Sequence, residues 1–236
     1  HIHKKEGKKL KILSIDTASN LCTVAVLENE KCIKEIIVDD ARNHSEKIMP
    51  VIEQALLESN LTLQNIDLIV CDKGPGSFTG IRIGVGTVLA FKDSLNIPCI
   101  GISSLQALAY NINDNGIICS LIDAKNNNVY FGVFEKKNNL VTQLEELSFK
   151  TIEEIIPILN KYDKIIFVGD GSIVYKDFLE SNLKNCKFSS KNDLSSFSLG
   201  LAGLNTYKQN IESDLMPLYL RKSQAERALE NKSIKK

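Results

Sequence analysis

Hydrophobic and polar residues follow two different periodicities along the chain. Short apolar runs bounded by turn residues are typical of strands. In the first half of the chain such runs cover residues 11–15, 22–27, 31–38, 66–71 and 97–100. Between them, apolar residues recur every three to four positions at 44–59 and 78–94, which predicts two helices. The alternation of strands and helices predicts an α/β fold with mixed sheets.

The first strand and its turn recur 107 positions later in the chain. When Asp16 is placed on Asp123, Asn20 aligns with Asn127 without a gap. In each copy a strand ends in aspartate, a polar turn follows and a second strand returns. This repeat predicts a duplicated fold whose halves face each other across a cleft, the alternative being two unrelated hairpins with a common pattern. The second half also predicts a strand at 164–168 and helices at 152–160, 175–183 and 196–208.

These patterns divide the chain into four predicted segments. Residues 1–9 are expected to be a cloning remnant or a disordered N-terminus, and 223–236 a charged tail. Residues 10–108 are predicted to form a first lobe that carries the two helices. Residues 109–222 are predicted to form a second lobe, whose last helix packs back on the first lobe.

Composition narrows the class of protein. The 236 residues are 43% hydrophobic and 25% charged, the balance of an ordinary globular protein. Basic and acidic residues number 29 each, so the chain has no strongly basic field of its own to hold nucleic acid, and RNA would be gripped through a partner. No apolar run reaches the roughly 20 residues of a membrane helix, and the opening residues do not resemble a secretion signal. We therefore expect a cytoplasmic protein that contacts no membrane.

Cysteine and histidine usage argues against a metal centre. The six cysteines lie far apart, mostly in apolar segments and without a C-x-x-C pair, so buried free thiols are expected rather than disulfides or a zinc site. Of three histidines, His1 and His3 lie in the opening segment, and only His44 remains as a candidate. His44 is expected to begin a helix; a catalytic role lacks a visible Ser or Cys partner.

A glycine-rich segment at 73–82 follows a predicted buried strand and opens a helix. Backbone N–H groups at such a turn can bind an anion. Neither the Walker A nor the Rossmann spacing is met, because Thr79 stands where each motif requires glycine. The alternative is a tight strand-to-helix turn with Ser77 or Thr79 as its cap.

The two helices of the first half carry more apolar surface than one sheet contact needs. Small residues on the second helix would permit close approach by another helix, so we predict a docking face for a partner. A helix buried wholly in its own domain is the alternative. The predicted face consists of His44, Ile48, Val51, Ile52, Ala55, Gly80, Ile83, Gly84, Thr87 and Phe91.

Three aspartates end predicted strands or follow them directly, where carboxylates of a cleft often hold magnesium or the magnesium of a nucleotide. Turn aspartates also bond their own backbone, so each one alone is weak evidence. The weak candidates for nucleotide or anion contact are Asp16, Thr17, Asp123, Gly169 and Asp170.

Several segments together resemble the TsaB (YeaZ) family over about residues 10–222. They are Ile12 to Ala18, His44-Ser45-Glu46 through Pro50, the glycine-rich stretch from Gly74 to Gly84, Gly101-Ile102-Ser103-Ser104-Leu105, Asp123-Ala124-Lys125, Gly169-Asp170-Gly171 and Pro217-Leu218-Tyr219-Leu220-Arg221. The resemblance implies an actin-like ATPase (ASKHA) fold with two duplicated ribonuclease-H-like lobes.

The resemblance also implies a role. A TsaB-like protein is a non-catalytic partner of the TsaD transferase, which with TsaE attaches threonylcarbamoyl to the adenosine beside the anticodon of ANN-decoding transfer RNAs. Its helix pair would bind TsaD, or a second copy when TsaD is absent, and transfer RNA would be held only through the complex. A Gly84→Leu variant is then expected to stay folded and no longer to co-purify with TsaD.

One departure from the catalytic relative and one from the family's own pattern bear on chemistry. The resemblance places Ser104 and Leu108 where TsaD has metal-binding histidines, and leucine offers a metal no lone pair. The usual Asp-Ala-Arg of the family ends here in Lys125, which removes a planar donor fork. We therefore expect no enzyme activity and no resident cofactor, with ATP or ADP and magnesium at the shared interface left open. The rival hypotheses are an actin-like ATPase or kinase that uses Asp16 and Asp123, and, less favoured, a peptidase.

Overall fold

The computed structural model describes residues 9–39 and 44–221, which form two mixed sheets with helices. The first sheet has the strand order β3-β2-β1-β4-β5. Strands β1 to β3 are antiparallel neighbours, and β4 and β5 continue the sheet in parallel from β1. Its strands are β1 (Lys11–Asp16), β2 (Leu21–Glu28), β3 (Lys31–Asp39), β4 (Leu68–Asp72) and β5 (Cys99–Ile102).

The second sheet has the order β11-β10-β6-β7-β8, and β9 also pairs with β7. Strand β6 is antiparallel to β7 and parallel to β10, which is parallel to β11. Its strands are β6 (Gly116–Asp123), β7 (Asn128–Lys137), β8 (Leu140–Gln143), β9 (Ser148–Thr151), β10 (Ile165–Val168) and β11 (Cys186–Phe188).

The two sheets repeat one topology. In each, the first strand ends in an aspartate, pairs antiparallel with the strand that follows it, and pairs parallel with a later strand on its other side. Asp16 and Asp123 occupy corresponding ends of β1 and β6. The duplication predicted from the repeat at 107 residues is therefore confirmed, and coincidence of two hairpins is excluded.

Seven α-helices lie among the described residues. They are α1 (His44–Glu58), α2 (Phe78–Leu95), α3 (Ser104–Ala109), α4 (Ile152–Leu159), α5 (Asp170–Val174), α6 (Lys176–Asn182) and α7 (Ser196–Lys208), and a short 3-10 turn covers Leu63–Asn65. The pattern missed α3 and α5, since six and five residues are too few to display helical periodicity. None of these helices is both long and apolar enough to cross a bilayer.

The helices are sorted between the faces of the sheets. Helices α1 and α2 cover the outer face of the first sheet and share a core with β1, β2 and β4. Helices α3 and α7 lie between the two sheets, where one core joins both lobes. Gly203 lets α7 approach β4 closely, because a Cβ there would lie 2.3 Å from a methyl carbon of Val70.

The structure describes the two predicted lobes but not the whole of the two predicted terminal segments. Residues 1–8 and 222–236, which contain the expected remnant and tail, lie outside the described residues. Helix α7 packs on β1, β2, β4 and β5 of the first sheet. The segment from residue 209 to 221 also runs along the first lobe before it reaches the second.

Candidate functional site

A cleft of about 550 Å³ separates the two lobes on one side of the molecule. The first lobe lines it with the turn after β1 and the start of the glycine-rich segment, and the second with the turn after β6 and the start of α5. Representative lining residues are Ala18, Pro75, Gly76, Ser77, Ala124 and Leu194. The predicted cleft between duplicated halves is thus present.

The cleft carries an excess of carboxylates. Among the described residues, Asp39, Asp123, Asp170 and Asp193 line it, together with one cation, Lys125. The Lys125 ammonium lies 2.6 Å from an Asp123 oxygen, and Asp170 accepts the backbone N–H of Asp123 at 2.9 Å. A polyphosphate would meet net negative charge from these described residues, since the Lys125 ammonium is already paired with Asp123.

Asp16 does not face that cleft. It is 1% exposed and lies beside the equally buried Asp72, at the carboxyl ends of the neighbouring strands β1 and β4. One oxygen of Asp16 accepts the N–H of Ala18 at 2.7 Å, and one oxygen of Asp72 accepts the N–H of Gly74 and the hydroxyl of Ser104, both at 2.7 Å. The second oxygen of each carboxyl, Oδ2, is buried and accepts no hydrogen bond from any described residue.

The two carboxyls interact with each other, and one proton shared between them would satisfy both groups. Burial raises the pKa of Asp16 well above its ordinary value, and the neighbouring Asp72 raises it further. Burial also raises the pKa of Asp72, to about 6, against the lowering effect of its bonds from Gly74 and Ser104. Those two donors mark Asp72 as the carboxylate of the pair, and Asp16 as the group that keeps the proton.

Two other weak candidates, Thr17 and Gly169, also form their hydrogen bonds within the chain. Thr17 is buried and donates its hydroxyl to the carbonyl of Gly80 at 2.7 Å. The N–H of Gly169 is taken by Asn192, and a Cβ on Gly169 would lie 2.1 Å from the carbonyl oxygen of Leu121. Of the five predicted contacts, Asp123 and Asp170 line the cleft, whereas Asp16, Thr17 and Gly169 are bonded within the chain; the assignment of these three to a ligand site stays a prediction.

Part of the predicted docking face is wrong, because the lobe itself covers it. Six of its members are buried within this chain: Ile48, Val51, Ile52, Ala55, Gly80 and Gly84. Gly80 and Gly84 face the turn after β1, where Cβ atoms would lie 1.8 Å from the Thr17 carbonyl oxygen and 2.6 Å from its hydroxyl. The small residues admit this turn and not a partner helix.

Three large apolar side chains are nevertheless exposed on the outer side of the helix pair, beside charged residues such as Glu53. Leu57 is 76% exposed, and Met49 and Leu89 are each 40% exposed. Ile83, Thr87 and Phe91 of the predicted face are half-buried beside them on α2. These three exposed and three half-buried residues are called the outer helix face below. His44 begins α1 as predicted, but its side chain lies outside the described part of the structure.

The glycine-rich segment forms a capped turn. Ser77 is the N-cap of α2, and its hydroxyl accepts the N–H of Gly80. The alternative of a strand-to-helix turn is therefore confirmed, with Ser77 and not Thr79 as the cap. The hydroxyl oxygen of Ser77 accepts this bond, and Ser77 also lines the cleft.

The described residues contain no group of three or more His, Cys, Asp and Glu side chains arranged to hold a metal. Ser104, at one position where the resemblance implies a metal histidine in TsaD, donates to Asp72, and Leu108, at the other, is buried in the core between the lobes. All six cysteines are free thiols; Cys22, Cys71 and Cys119 are buried as predicted, whereas Cys32, Cys99 and Cys186 are half-buried. Burial raises the pKa of the Cys22 and Cys99 thiols to about 11, so both are neutral at physiological pH.

The chain is similar in sequence to known proteins along most of its length. The family model for TsaD, described as tRNA N6-adenosine threonylcarbamoyltransferase, matches residues 33–229. The tRNA threonylcarbamoyladenosine biosynthesis protein TsaB of Bacillus subtilis is 31% identical over 220 residues, which cover 91% of this chain and 96% of that protein.

Solved structures agree on the fold. YeaZ from Pseudomonas aeruginosa aligns with a TM-score of 0.75 and 23% identity over 89% of this chain and 100% of its own. The ROK hexokinase of Thermus thermophilus aligns with a TM-score of 0.51 and 10% identity over 86% of this chain and 100% of its own, which confirms the predicted actin-like fold. On this similarity across almost its whole length, the chain belongs to the TsaB (YeaZ) family, as its motifs at 74–84 and 217–221 predict.

Proposed function

We propose that this chain takes part in the synthesis of threonylcarbamoyladenosine in transfer RNA as a non-catalytic scaffold for a TsaD transferase. TsaE would join a ternary complex, transfer RNA would be held through the complex, and a second copy would occupy the same face when TsaD is absent. The observation that carries the proposal is the outer helix face, on which two adjacent helices expose large apolar side chains. Large exposed apolar side chains that lie together are typical of protein interfaces.

The state of the carboxyl groups supports a scaffold over an ATPase or kinase. The rival hypothesis needs Asp16 and Asp123 to hold magnesium together. Asp16 is engaged with Asp72 beneath the turn, while Asp123 is paired with Lys125 in the cleft. These residues do not fit a magnesium nucleotide, so no catalytic step is assigned to one.

The outer helix face makes a direct prediction for binding. Leu57→Glu and Leu89→Glu are each expected to weaken binding of the TsaD from the same organism at least about tenfold, because each places a charge at the centre of an apolar contact. Both side chains are exposed, so the free energy of unfolding should change by less than about 0.5 kcal/mol. Calorimetric titration with TsaD and urea unfolding measure the two quantities.

Leu140→Glu is the matched control, since Leu140 is 39% exposed on β8 of the other lobe. It should bind TsaD like the parent chain. Omission of the chain from a mixture of TsaD, TsaE, transfer RNA and threonylcarbamoyl-adenylate should abolish modification, and Leu89→Glu should reduce it. Full TsaD affinity in both helix variants would refute the docking face, and modification without the chain would refute the function.

A further inference from the structure

The segment at 213–221 follows α7, contains no regular secondary structure and ends in the motif Pro217-Leu218-Tyr219-Leu220-Arg221, which the proposed function leaves unused. It is called the strap below. Its first half is bound to the first lobe. Asp214 pairs with Lys73 at 2.9 Å, the N–H of Leu218 donates to the carbonyl of Lys73 at 2.7 Å, and the Leu215 side chain is buried in the core of that lobe.

Two motif glycines make room for the strap. A Cβ on Gly101 would lie 2.1 Å from the carbonyl oxygen of Asp214, and a Cβ on Gly74 would lie 3.0 Å from that of Leu218. Gly74 also has a backbone φ of +100°, a conformation that residues other than glycine rarely adopt. Three motifs that are distant in sequence therefore meet here. Gly74 and Gly101 belong to two of them, and both lie close to the backbone of the strap, which contains the third.

The second half of the strap passes from one lobe to the other. Tyr219 stacks on Phe78 at a ring separation of 4.7 Å, and its hydroxyl accepts from Nε of Arg82 at 2.9 Å, both on α2. Two residues later, Arg221 donates to the carbonyl oxygen of Ala124 at 3.1 Å and lies 5.0 Å from the ring centroid of Phe149, both in the second lobe.

The two attachments flank the cleft. Pro75 and Gly76, next to the glycine that receives Leu218, line it from the first lobe, and Ala124 lines it from the second. The core around α3 and α7 joins the lobes elsewhere, so rotation about that core would change the width of the cleft. The strap ties together the parts that such a rotation would separate.

We propose that the strap is a clasp that holds the cleft at one width, with Arg221 as the positioning residue that grips the second lobe. The guanidinium makes two contacts of different kinds, a hydrogen bond to a backbone carbonyl and a cation–π contact. Both lie at the far end of a segment fixed to the first lobe at Lys73 and Phe78. The inference concerns the isolated chain and does not rest on the proposed function.

The test measures the distance between the lobes. Spin labels on ketone-bearing residues placed at exposed Asp93 and Glu153 report one lobe each, and double electron–electron resonance gives the distance distribution. The otherwise unaltered chain should give one narrow distribution. Arg221→Ala should about double its width, with a new longer component, as the second lobe is released. Phe149→Leu, which removes the ring beside Arg221, should broaden it in the same direction.

Tyr219→Phe is the matched control. It keeps the stacking on Phe78 and removes only the hydroxyl contact to Arg82 within the first lobe, so the distribution should stay narrow. Urea unfolding of each variant identifies any variant that is globally destabilised. If Arg221→Ala is destabilised in this way, Arg221→Gln replaces it in the distance measurement. An unchanged distribution in the folded Arg221 variant, or a broad one in the parent chain, would overturn the clasp.

Discussion

Replacement of Asp72 by asparagine is expected to stabilise the protein at pH 8 and to flatten the dependence of its stability on pH. The two buried carboxyls hold a proton more tightly in the folded state than in the unfolded chain, because burial raises the pKa of both. A raised pKa gives stability that is complete below the unfolded value and is lost as pH rises through the folded value. The parent chain should therefore lose stability as pH rises from about 4 through about 6.

The size of the effect follows from the pKa of Asp72. Its rise from 3.8 to about 6 corresponds to on the order of 3 kcal/mol, at about 1.4 kcal/mol per unit. Asparagine keeps the acceptor oxygen for Gly74 and Ser104 and offers an amide N–H to Asp16. We expect Asp72→Asn to gain about 1–2 kcal/mol at pH 8 relative to its effect at pH 5, because part of the loss has already occurred at pH 5; urea unfolding at each pH measures it.

Two further variants make this test specific. Asp16→Asn imitates the protonated Asp16, because its amide can donate to Asp72 as the shared proton does, so it should fold and keep the loss of stability that Asp72 causes between about pH 4 and 6. Asp93→Asn removes an exposed carboxyl of α2 and should leave the shape of the profile unchanged. If the Asp72→Asn profile ran parallel to that of the parent between pH 5 and 8, the proton-sharing pair would be refuted.

Gly80→Ala is expected to destabilise the protein by about 3 kcal/mol or more, although alanine is the better helix former. The added Cβ would lie 1.8 Å from the carbonyl oxygen of Thr17, a backbone atom that cannot rotate away. The turn after β1 would have to separate from α2 and break the hydrogen bond from Thr17 to Gly80. Urea unfolding at neutral pH gives the change directly.

Gly86→Ala, on the same helix, is the control. No atom lies within 4 Å of the position of its Cβ, so the variant should be neutral or more stable by up to about 1 kcal/mol. Equal stabilities for the two variants would contradict the close packing of α2 on the turn. The same packing means that Gly84→Leu should unfold the first lobe, so this variant is unsuited to test docking, contrary to the sequence prediction.

The candidate site was less predictable than the fold. The motif at 101–105 was visible in the sequence, but the pairing of Ser104 and Asp72 was not, because the two are 32 residues apart and β5 brings them together. Asp72 itself ends the strand β4, just as Asp16 ends β1, and a search for every strand-end aspartate would have found it. Only the structure shows that the two carboxyls face each other away from the cleft.

By itself the sequence determined the periodicity of the strands and long helices, the duplication and the family, because these depend on local pattern and on motif identity. Only the tertiary structure decided which side of α1 and α2 is covered. Helical spacing places Gly80 and Gly84 on one stripe and Leu89 on another, but it does not say which stripe meets the sheet. Packing against the turn after β1 settled that orientation, because only glycine admits a backbone carbonyl at such close range, and it left Leu57, Met49 and Leu89 facing outward.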